Sequence, residues 1–385
     1  MKTIKWWKPI IGNTEHTLIK EVLDQNFPNE GHLTRKFEDT IKKLLNCKYT
    51  VTTTSGTSAL FLALKALNIG YGDEVLIPDI TFIATANAVK MAGATPVLID
   101  ISNHNNALID SDTLEQYITP QTKAVIPVHV SGRAVAMEKM MTFAKKHNLF
   151  VIEDAAEAFM SQHKGKYLGT WADAGCFSFS PHKIITTGQG GIIVTNNQAI
   201  YNQLILLKDH GRPVIGTGGD DIHHTVGYNF KLTNLQAAVG LGQLEMLPER
   251  INHQKKLYQI YQEQLHKYSE DLQILPFALQ KGEVPLWCDA LSPFRNALVS
   301  YLKEQGIETR NFWHPLHTQK PYLQQDIFYK NSVSFSKKAF WLPSNVTMTE
   351  DEMLYVTNSI KKFFEAKKES FVCQKNHYVS QLSSL

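Results

Sequence analysis

TVTTTSGTSALFLALKALNIGYGDEVLIPDITFIATANAVKMAGATPVLID, residues 50–100, is the stretch that decides the fold. It opens on Thr50–Thr54, a run rich in β-branched side chains that predicts a strand. Ser55-Gly56-Thr57 then leads into a helical stretch from Ser58 to Leu67. Glu74–Pro78 predicts a second strand, Ile83–Met91 a helix, and Thr95–Asp100 a third strand. Further along, Ala124–Val130, Phe150–Asp154, Gly175–Ser180 and Gly191–Asn196 repeat the short apolar runs. Strands alternating with helices predict an α/β fold, with a large, mainly parallel sheet covered on both faces. In such sheets ligands collect at the carboxyl ends of the strands.

On the N-terminal side, Glu15–Asn46 reads as two amphipathic helical stretches separated by a loop at Pro28–Gly31. On the other side, a long periodic stretch after Asn234 predicts a helix bent near Pro248. Past Asp271 the pattern changes. Short strands near Leu272–Ile274 and Val284–Asp289, with helices near Pro293–Gln305 and Glu350–Glu365, predict a smaller α+β domain. The expected division is a large domain over 1–245, including the N-terminal helices, a small C-terminal domain over 246–365, and a polar tail over 366–385. The tail shows no clear period and reads as disordered or docked on a neighbour. No internal repeat is evident.

Composition narrows the class. A chain of 385 residues with 43% hydrophobic content can bury a sizeable core. The formal net charge of +3 gives no reason to expect nucleic acid or a membrane surface as partner. Four scattered cysteines, with no CxxC pair, fit neither a disulfide framework nor a zinc site. The start MKTIKWWKPIIG lacks the apolar core of a signal peptide, and no apolar run approaches membrane-helix length. The expectation is a soluble, cytoplasmic protein. His314, His317 and the pair His223-His224 have no carboxylate or cysteine at ligand spacing, so they read as unpaired loop histidines and no metal is expected.

The residues that carry chemistry fall at strand ends. Lys183, in SFSPHKIITTGQGG, follows a strand and precedes a Thr/Gly-rich loop; alone, a solvated surface lysine is the ordinary reading. Asp154 ends a strand, where a carboxylate can either face a cationic cofactor nitrogen or cap the following turn. Ser55-Gly56-Thr57 opens a helix, and backbone amides there with a hydroxyl form a phosphate cradle. Ser178 can add a hydroxyl to the same phosphate or be satisfied by backbone. Phe82 lies just past a strand end, placed either to stack on a flat heterocycle or to fill the core. A lysine, a carboxylate, a phosphate cradle and a stacking ring together fit pyridoxal 5'-phosphate far better than any one of them does.

With these motifs in order, the chain resembles the DegT/DnrJ/EryC1/StrS sugar aminotransferases, nearest their perosamine-synthase-like members. The likeness runs from about Trp7 to Phe364 through TSGTSALFLALKAL, VIEDAAEA, CFSFSPHKIITTGQGG, DHGR, VGYNFKLTNLQAAVGLGQLE and FWLPSNVTMTEDEM. It implies the fold-type I (aspartate aminotransferase-like) architecture, a pyridoxal-phosphate Schiff base on Lys183, and Asp154 on the pyridine nitrogen. It further implies Phe82 over the ring, and Gly56, Thr57 and Ser178 on the phosphate. Asn229 in GYNFKLTN would reach into the phosphate site of a second subunit, making the working unit a homodimer with shared sites. L-glutamate would be the amino donor and a keto sugar the acceptor, in cell-surface polysaccharide or lipopolysaccharide synthesis.

The departures from the family pattern concern the substrate side. Glu157 stands where Gln is common, at a position contacting the cofactor's phenolic oxygen; the perosamine-synthase-like members share this glutamate, so it reads as the mark of a subgroup. Gln189, Ser131, Arg133 and Lys231 also differ from the usual residues. Arg133 and Lys231 are expected to line or approach the substrate mouth, and Arg310, Phe312 and His314 are candidates for sugar contacts, with ordinary packing in the small domain as the alternative for each of these three. A sugar dehydratase of the same fold would carry histidine in place of Lys183. A non-catalytic relative would be expected to lose Lys183 or Asp154; both are present.

Overall fold

The computed structural model of the chain describes residues 3–103, 106–213 and 222–382. Its first nine strands are β1 (Tyr49–Thr53), β2 (Glu74–Pro78), β3 (Thr95–Ile99), β4 (Thr122–Val125), β5 (Phe150–Asp154), β6 (Gln162–His163), β7 (Lys166–Tyr167), β8 (Ala174–Ser178) and β9 (Gly191–Thr195). β6 and β7 pair only with each other, and the other seven form one sheet in the order β1-β9-β8-β5-β4-β2-β3. β3, β2, β4, β5 and β8 are parallel, while β9 runs antiparallel to both β8 and β1. The chain thus has the fold-type I aminotransferase architecture, a mainly parallel seven-stranded sheet with a smaller antiparallel region after it.

Alternation along each strand feeds two cores. Val75 and Ile77 of β2 face one core while Leu76 between them faces the other. The first core is closed by α3 (Gly56–Ala66), α4 (Ala84–Met91) and α6 (Gln198–Lys208). The second takes α1 (Asn13–Asp24), α2 (His32–Leu45), α5 (Met137–His147) and α7 (Asn234–Glu245). On α2 the apolar residues recur every fourth position, Leu33, Phe37, Ile41 and Leu45, and all four are buried. Each contributes about 2 kcal/mol of burial free energy. Gly240 on α7 lets α2 approach, since a Cβ there would lie 2.6 Å from the Phe37 ring.

The single bent helix expected after Asn234 is two helices. α7 stops at Glu245 and α8 (Leu247–Leu265) restarts with Pro248 in its first turn, where a missing N–H costs nothing. Beyond it, β10 (Gln273–Ile274), β11 (Cys288–Leu291), β12 (Arg310–Asn311) and β13 (Ala339–Leu342) form an antiparallel sheet in the order β10-β11-β13-β12. α8, α9 (Arg295–Glu304) and α11 (Glu350–Leu382) close the core on one face of that sheet, while α10 (Lys330–Lys338) leads into β13. Phe340 and Leu342 point to this third core, whereas Trp341 between them points back to the large sheet's side.

Several expectations shift. The strand expected to run to Val130 ends at Val125, because Pro127 has no N–H for a ladder. The strand expected over Val284–Asp289 begins only at Cys288. The helix expected to end at Glu365 continues to Leu382 and takes in most of the stretch read as a polar tail, while residues 383–385 lie outside the described residues. The N-terminal residues, read with the large domain, meet the C-terminal region: Ile4 pairs with Ile307, and its N–H donates to the Gly306 carbonyl at 2.9 Å. Among the described residues, no helix is long and apolar enough to cross a membrane.

Candidate active site

Every parallel strand near the sheet's centre ends on the same side, and a cleft of ≈ 420 Å³ opens there. That volume suits a cofactor with part of a substrate. β1 delivers Ser55, Gly56 and Thr57; β2 delivers Thr81 and Phe82; β5 ends on Asp154 and leads to Glu157; β8 ends on Ser178 and leads to Lys183. Residues separated by more than a hundred positions meet because the strand order places their carboxyl ends side by side.

Helix α3 starts at the cleft. The Ser55 side chain accepts the Ser58 N–H at 3.1 Å, which leaves the amides of Gly56 and Thr57 without acceptors inside the helix. Gly56 also faces Ser178 closely, and a Cβ on it would lie 2.8 Å from the Ser178 Cβ. The result is a floor of N–H groups and hydroxyls at a positive helix end, suited to a phosphate.

Asp154 is buried, and its acceptors are set by two donors. Thr85 Oγ1 donates to Oδ2 at 2.7 Å and the Ala156 N–H donates to Oδ1 at 3.2 Å. Burial nonetheless pushes its carboxyl above the usual carboxylate range, opposed by Thr85, Ala156, Lys183 and His129. A carboxylate in that position gains from a further cation, which a protonated pyridine nitrogen supplies. Behind it, His129 and Glu153 form a fully buried pair at 3.0 Å. His129 Nδ1 accepts the Val135 N–H at 3.2 Å, so Nε2 carries the proton donated to Glu153.

The Lys183 amine lies 3.1 Å from Glu157 Oε1, with its side chain 13% exposed. Phe82 is half exposed at the cleft's mouth, 6.4 Å from the ring of Trp313. A lysine, a buried carboxylate, a helix-end anion floor and an exposed aromatic at the mouth are the set that pyridoxal phosphate requires, so the residues present fit that group.

Of the residues singled out in the sequence, Gly56, Thr57, Phe82, Asp154, Glu157, Ser178, Lys183 and Arg310 line this cleft. Arg133 does not face it. Its guanidinium is buried, paired with Asp289, donating to the carbonyls of Pro276 and Leu275, and stacked over Phe277. Lys231 is paired with Asp209, His314 is exposed outside the cleft, and Phe312 is buried against Trp341. Within this chain Arg133 and Lys231 are held in ion pairs and Phe312 in packing, and none of the four lines this cleft. Asn229 also lies outside this chain's own cleft, on an exposed segment bridged to Asp209.

His317 corrects the reading of unpaired loop histidines. It is fully buried, with Nδ1 2.7 Å from Asp79 and Nε2 3.2 Å from Asp326. Sequence reasoning also missed Trp287 and Trp313 as cleft residues. Trp287 is buried beside the cleft, and its buried indole N–H has no hydrogen-bond partner among the described residues. Nothing local in PLWCDA marks it; only the packing of β11 beside the large sheet does. Thr85 was detectable in principle, because it lies one helical turn after Phe82 at the start of α4.

Comparison with known proteins places the chain. Residues 9–361 match the model of the DegT/DnrJ/EryC1/StrS aminotransferase family. The chain is 35% identical to a GDP-perosamine synthase of Escherichia coli O157:H7 over 378 residues, covering 95% of this chain and 100% of the relative. Its fold is similar to Helicobacter pylori PseC, an aminotransferase involved in the biosynthesis of pseudoaminic acid, with a TM-score of 0.88 and 26% identity. That likeness covers 95% of this chain and 100% of PseC. It is likewise similar to the PLP form of Streptococcus pneumoniae Spr1654, with a TM-score of 0.88, 25% identity, and coverage of 94% of this chain and 99% of that one.

Proposed function

The chain belongs to the DegT/DnrJ/EryC1/StrS aminotransferase family, and from that premise we propose that it moves an amino group from L-glutamate to a keto sugar. It is a pyridoxal-phosphate-dependent enzyme of the sugar aminotransferase type, homologous to perosamine synthases. The acceptor is a nucleotide-linked 4-keto-6-deoxyhexose, or a related keto sugar such as an 8-oxo octulosonate. The likeness to GDP-perosamine synthase favours the first. The product serves cell-surface polysaccharide or lipopolysaccharide synthesis, with the enzyme working in the cytoplasm as a homodimer.

One observation carries the reading: the Lys183 amine, the buried Asp154 and the Gly56–Thr57 helix start converge on a single cleft. Bound there, pyridoxal phosphate supplies an electron sink that allows a proton to leave the amino-bearing carbon of the donor. Gly56, Thr57 and Ser178 would hold the phosphate, and Asn229 would reach it from a second copy. Asp154 keeps a proton on the pyridine nitrogen, while Thr85 fixes the carboxylate's direction. Phe82, with Trp313 6.4 Å away, would cover the cofactor ring. Lys183 Nζ, when not linked to the cofactor, takes the proton from the donor carbon and later returns one to the sugar carbon.

Arg310 lies at the mouth, its guanidinium 4.9 Å from the Trp6 ring, and suits a diphosphate or a sugar carboxylate. The test is a half-reaction screen. Enzyme loaded with pyridoxamine phosphate is mixed with a GDP-linked 4-keto-6-deoxyhexose or with an 8-oxo octulosonate. Return of the aldehyde-form absorbance with one of them identifies the acceptor. No return with any keto sugar, against a positive response to 2-oxoglutarate, overturns the sugar assignment.

A further inference from the structure

Glu157 stands beside the Lys183 nitrogen as a carboxylate, at a position where the wider family commonly has a neutral amide. Its two oxygens are used differently. Oε2 accepts the Ser131 backbone N–H at 2.9 Å, and Oε1 meets Lys183 Nζ at 3.1 Å. The first oxygen is fixed to the backbone, so the second is aimed at the lysine.

The hold on Glu157 continues outward through the other substituted positions. Ser131 has φ 55°, a left-handed conformation uncommon for a side chain of this size. Its hydroxyl donates to Asp289 Oδ1 at 2.8 Å. Asp289 is buried on β11 and its other oxygen is paired with Arg133. The Leu286 N–H returns to the Ser131 carbonyl at 2.9 Å. An unbroken series of contacts therefore runs from Arg133 through Asp289, Ser131 and Glu157 to Lys183, joining the antiparallel sheet to the reacting nitrogen.

We propose that Glu157 is a catalytic residue that supplies a fixed negative charge to the Lys183 nitrogen, held in place by Ser131, Asp289 and Arg133 as positioning residues. This rests on the assignment of Lys183 as the cofactor-linking amine. The ionisable groups around Glu157 are Lys183 on the loop after β8, Asp154 at the end of β5, and the Asp289–Arg133 pair behind Ser131. His129 stands behind Asp154, and His182 adjoins Lys183. Burial pushes the Glu157 carboxyl up and Asp154 adds to that, while Lys183 and the Ser131 N–H oppose it. The cation at Lys183 is thus the main partner that favours the charged form.

The test reads Lys183 directly, without turnover. The full chain, free of cofactor, is acylated with trace acetic anhydride across a pH series, and the Lys183 peptide is quantified by mass spectrometry. Glu157→Gln removes the charge at nearly constant shape, so Lys183 becomes reactive at lower pH, by about one pH unit or more. Glu157→Asp retains the charge, so its profile lies between the two. Ser131→Ala, which removes only the hydroxyl contact to Asp289, moves the profile in the same direction by less. After loading with pyridoxal phosphate, the pH at which the visible band changes form shifts with the same sign. Profiles of Glu157→Gln and wild type that superimpose overturn the proposal. Should Glu157→Gln fail to fold, an unmoved profile in Ser131→Ala overturns the positioning network, and one in Glu157→Asp that falls outside the expected order overturns the charge role. A wild-type chain that acylates normally at Lys183 but forms no visible band contradicts the cofactor assignment instead, so the two failures are distinguishable.

Discussion

His317 is bound twice to Asp79: its backbone N–H donates to Oδ1 at 2.8 Å and its Nδ1 donates to Oδ2 at 2.7 Å. Both side chains are fully buried, and the Tyr329 ring stacks on the imidazole at 4.3 Å. Asp79 directly follows β2, three residues before Phe82, so the pair ties the segment after Trp313 to the cleft's edge. The imidazole's other nitrogen faces Asp326, which is exposed.

His317→Ala removes one member of a buried pair and leaves Asp79 with a lost donor in a desolvated place. The expected cost is about 3 kcal/mol of stability. Urea denaturation followed by circular dichroism measures it. A loss under about 0.5 kcal/mol, the range of ordinary surface changes, contradicts the role given to the pair.

Lys183→Ala takes away both the cofactor link and the proton carrier. The purified variant shows no visible band from a lysine-linked cofactor, and amino transfer falls by about a thousandfold or more. Asp154→Asn keeps the shape while removing the charge facing the ring nitrogen, with an expected loss of about a hundredfold. Absorbance spectra and single-turnover rates with glutamate report both. A Lys183→Ala enzyme turning over at a comparable rate shows the lysine to be misassigned.

Gly56→Ala places a methyl group about where the Ser178 side chain already sits, at 2.8 Å from its Cβ and 3.3 Å from its Oγ. One side of the phosphate floor must retreat. Affinity for pyridoxal phosphate falls about tenfold, equivalent to about 1.4 kcal/mol. The fold holds, because Gly56 has no positive φ to protect. Fluorescence titration of the cofactor into the two proteins makes the comparison.

The residues most open to sequence reading were those whose signal is local. Lys183, Asp154 and Gly56 each lie at the end of a strand visible from its own composition, and sheet topology alone brings those ends together. Arg133 was misread for the opposite reason. Its partner Asp289 is 156 positions away, and no periodicity connects a loop of the large sheet to β11. His317 failed in the same way, since Asp79 is 238 residues distant. β12 has only two residues, too few for alternation to register. The helical part of the polar tail escaped because its apolar residues, Phe371, Tyr378 and Leu382 among them, are sparse within a polar stretch.

Cys47 gives a prediction at alkaline pH. Burial pushes its thiol up to about 11, against an unfolded value of about 8.5. The folded chain holds the proton more tightly than the unfolded one. Its contribution to stability is therefore complete below pH ~8.5 and is lost as pH rises from there through about 11. Cys47→Ala flattens the fall in denaturation midpoint between pH 8 and 10. At pH 7.5 the wild-type thiol reacts with iodoacetamide far more slowly than it does in urea, as mass spectrometry of the Cys47 peptide shows.

Asn229 supplies the sharpest test of a shared site. It is exposed and lies outside its own chain's cleft, on a segment that also exposes Ile222 and Val226, the latter 79% accessible. If Asn229 completes the phosphate site of a second copy, Lys183→Ala and Asn229→Ala damage different halves of each site. Each variant alone has two defective sites per dimer. A hybrid dimer has one site carrying both defects and one carrying neither. Random mixing makes about half the dimers hybrid, so refolding the two inactive proteins together restores about a quarter of wild-type activity. Val226→Asp puts a charge into the same contact and shifts the protein towards monomer in sedimentation, with activity falling in parallel. A mixture that stays as inactive as its components means that Asn229 works within its own chain or not at all.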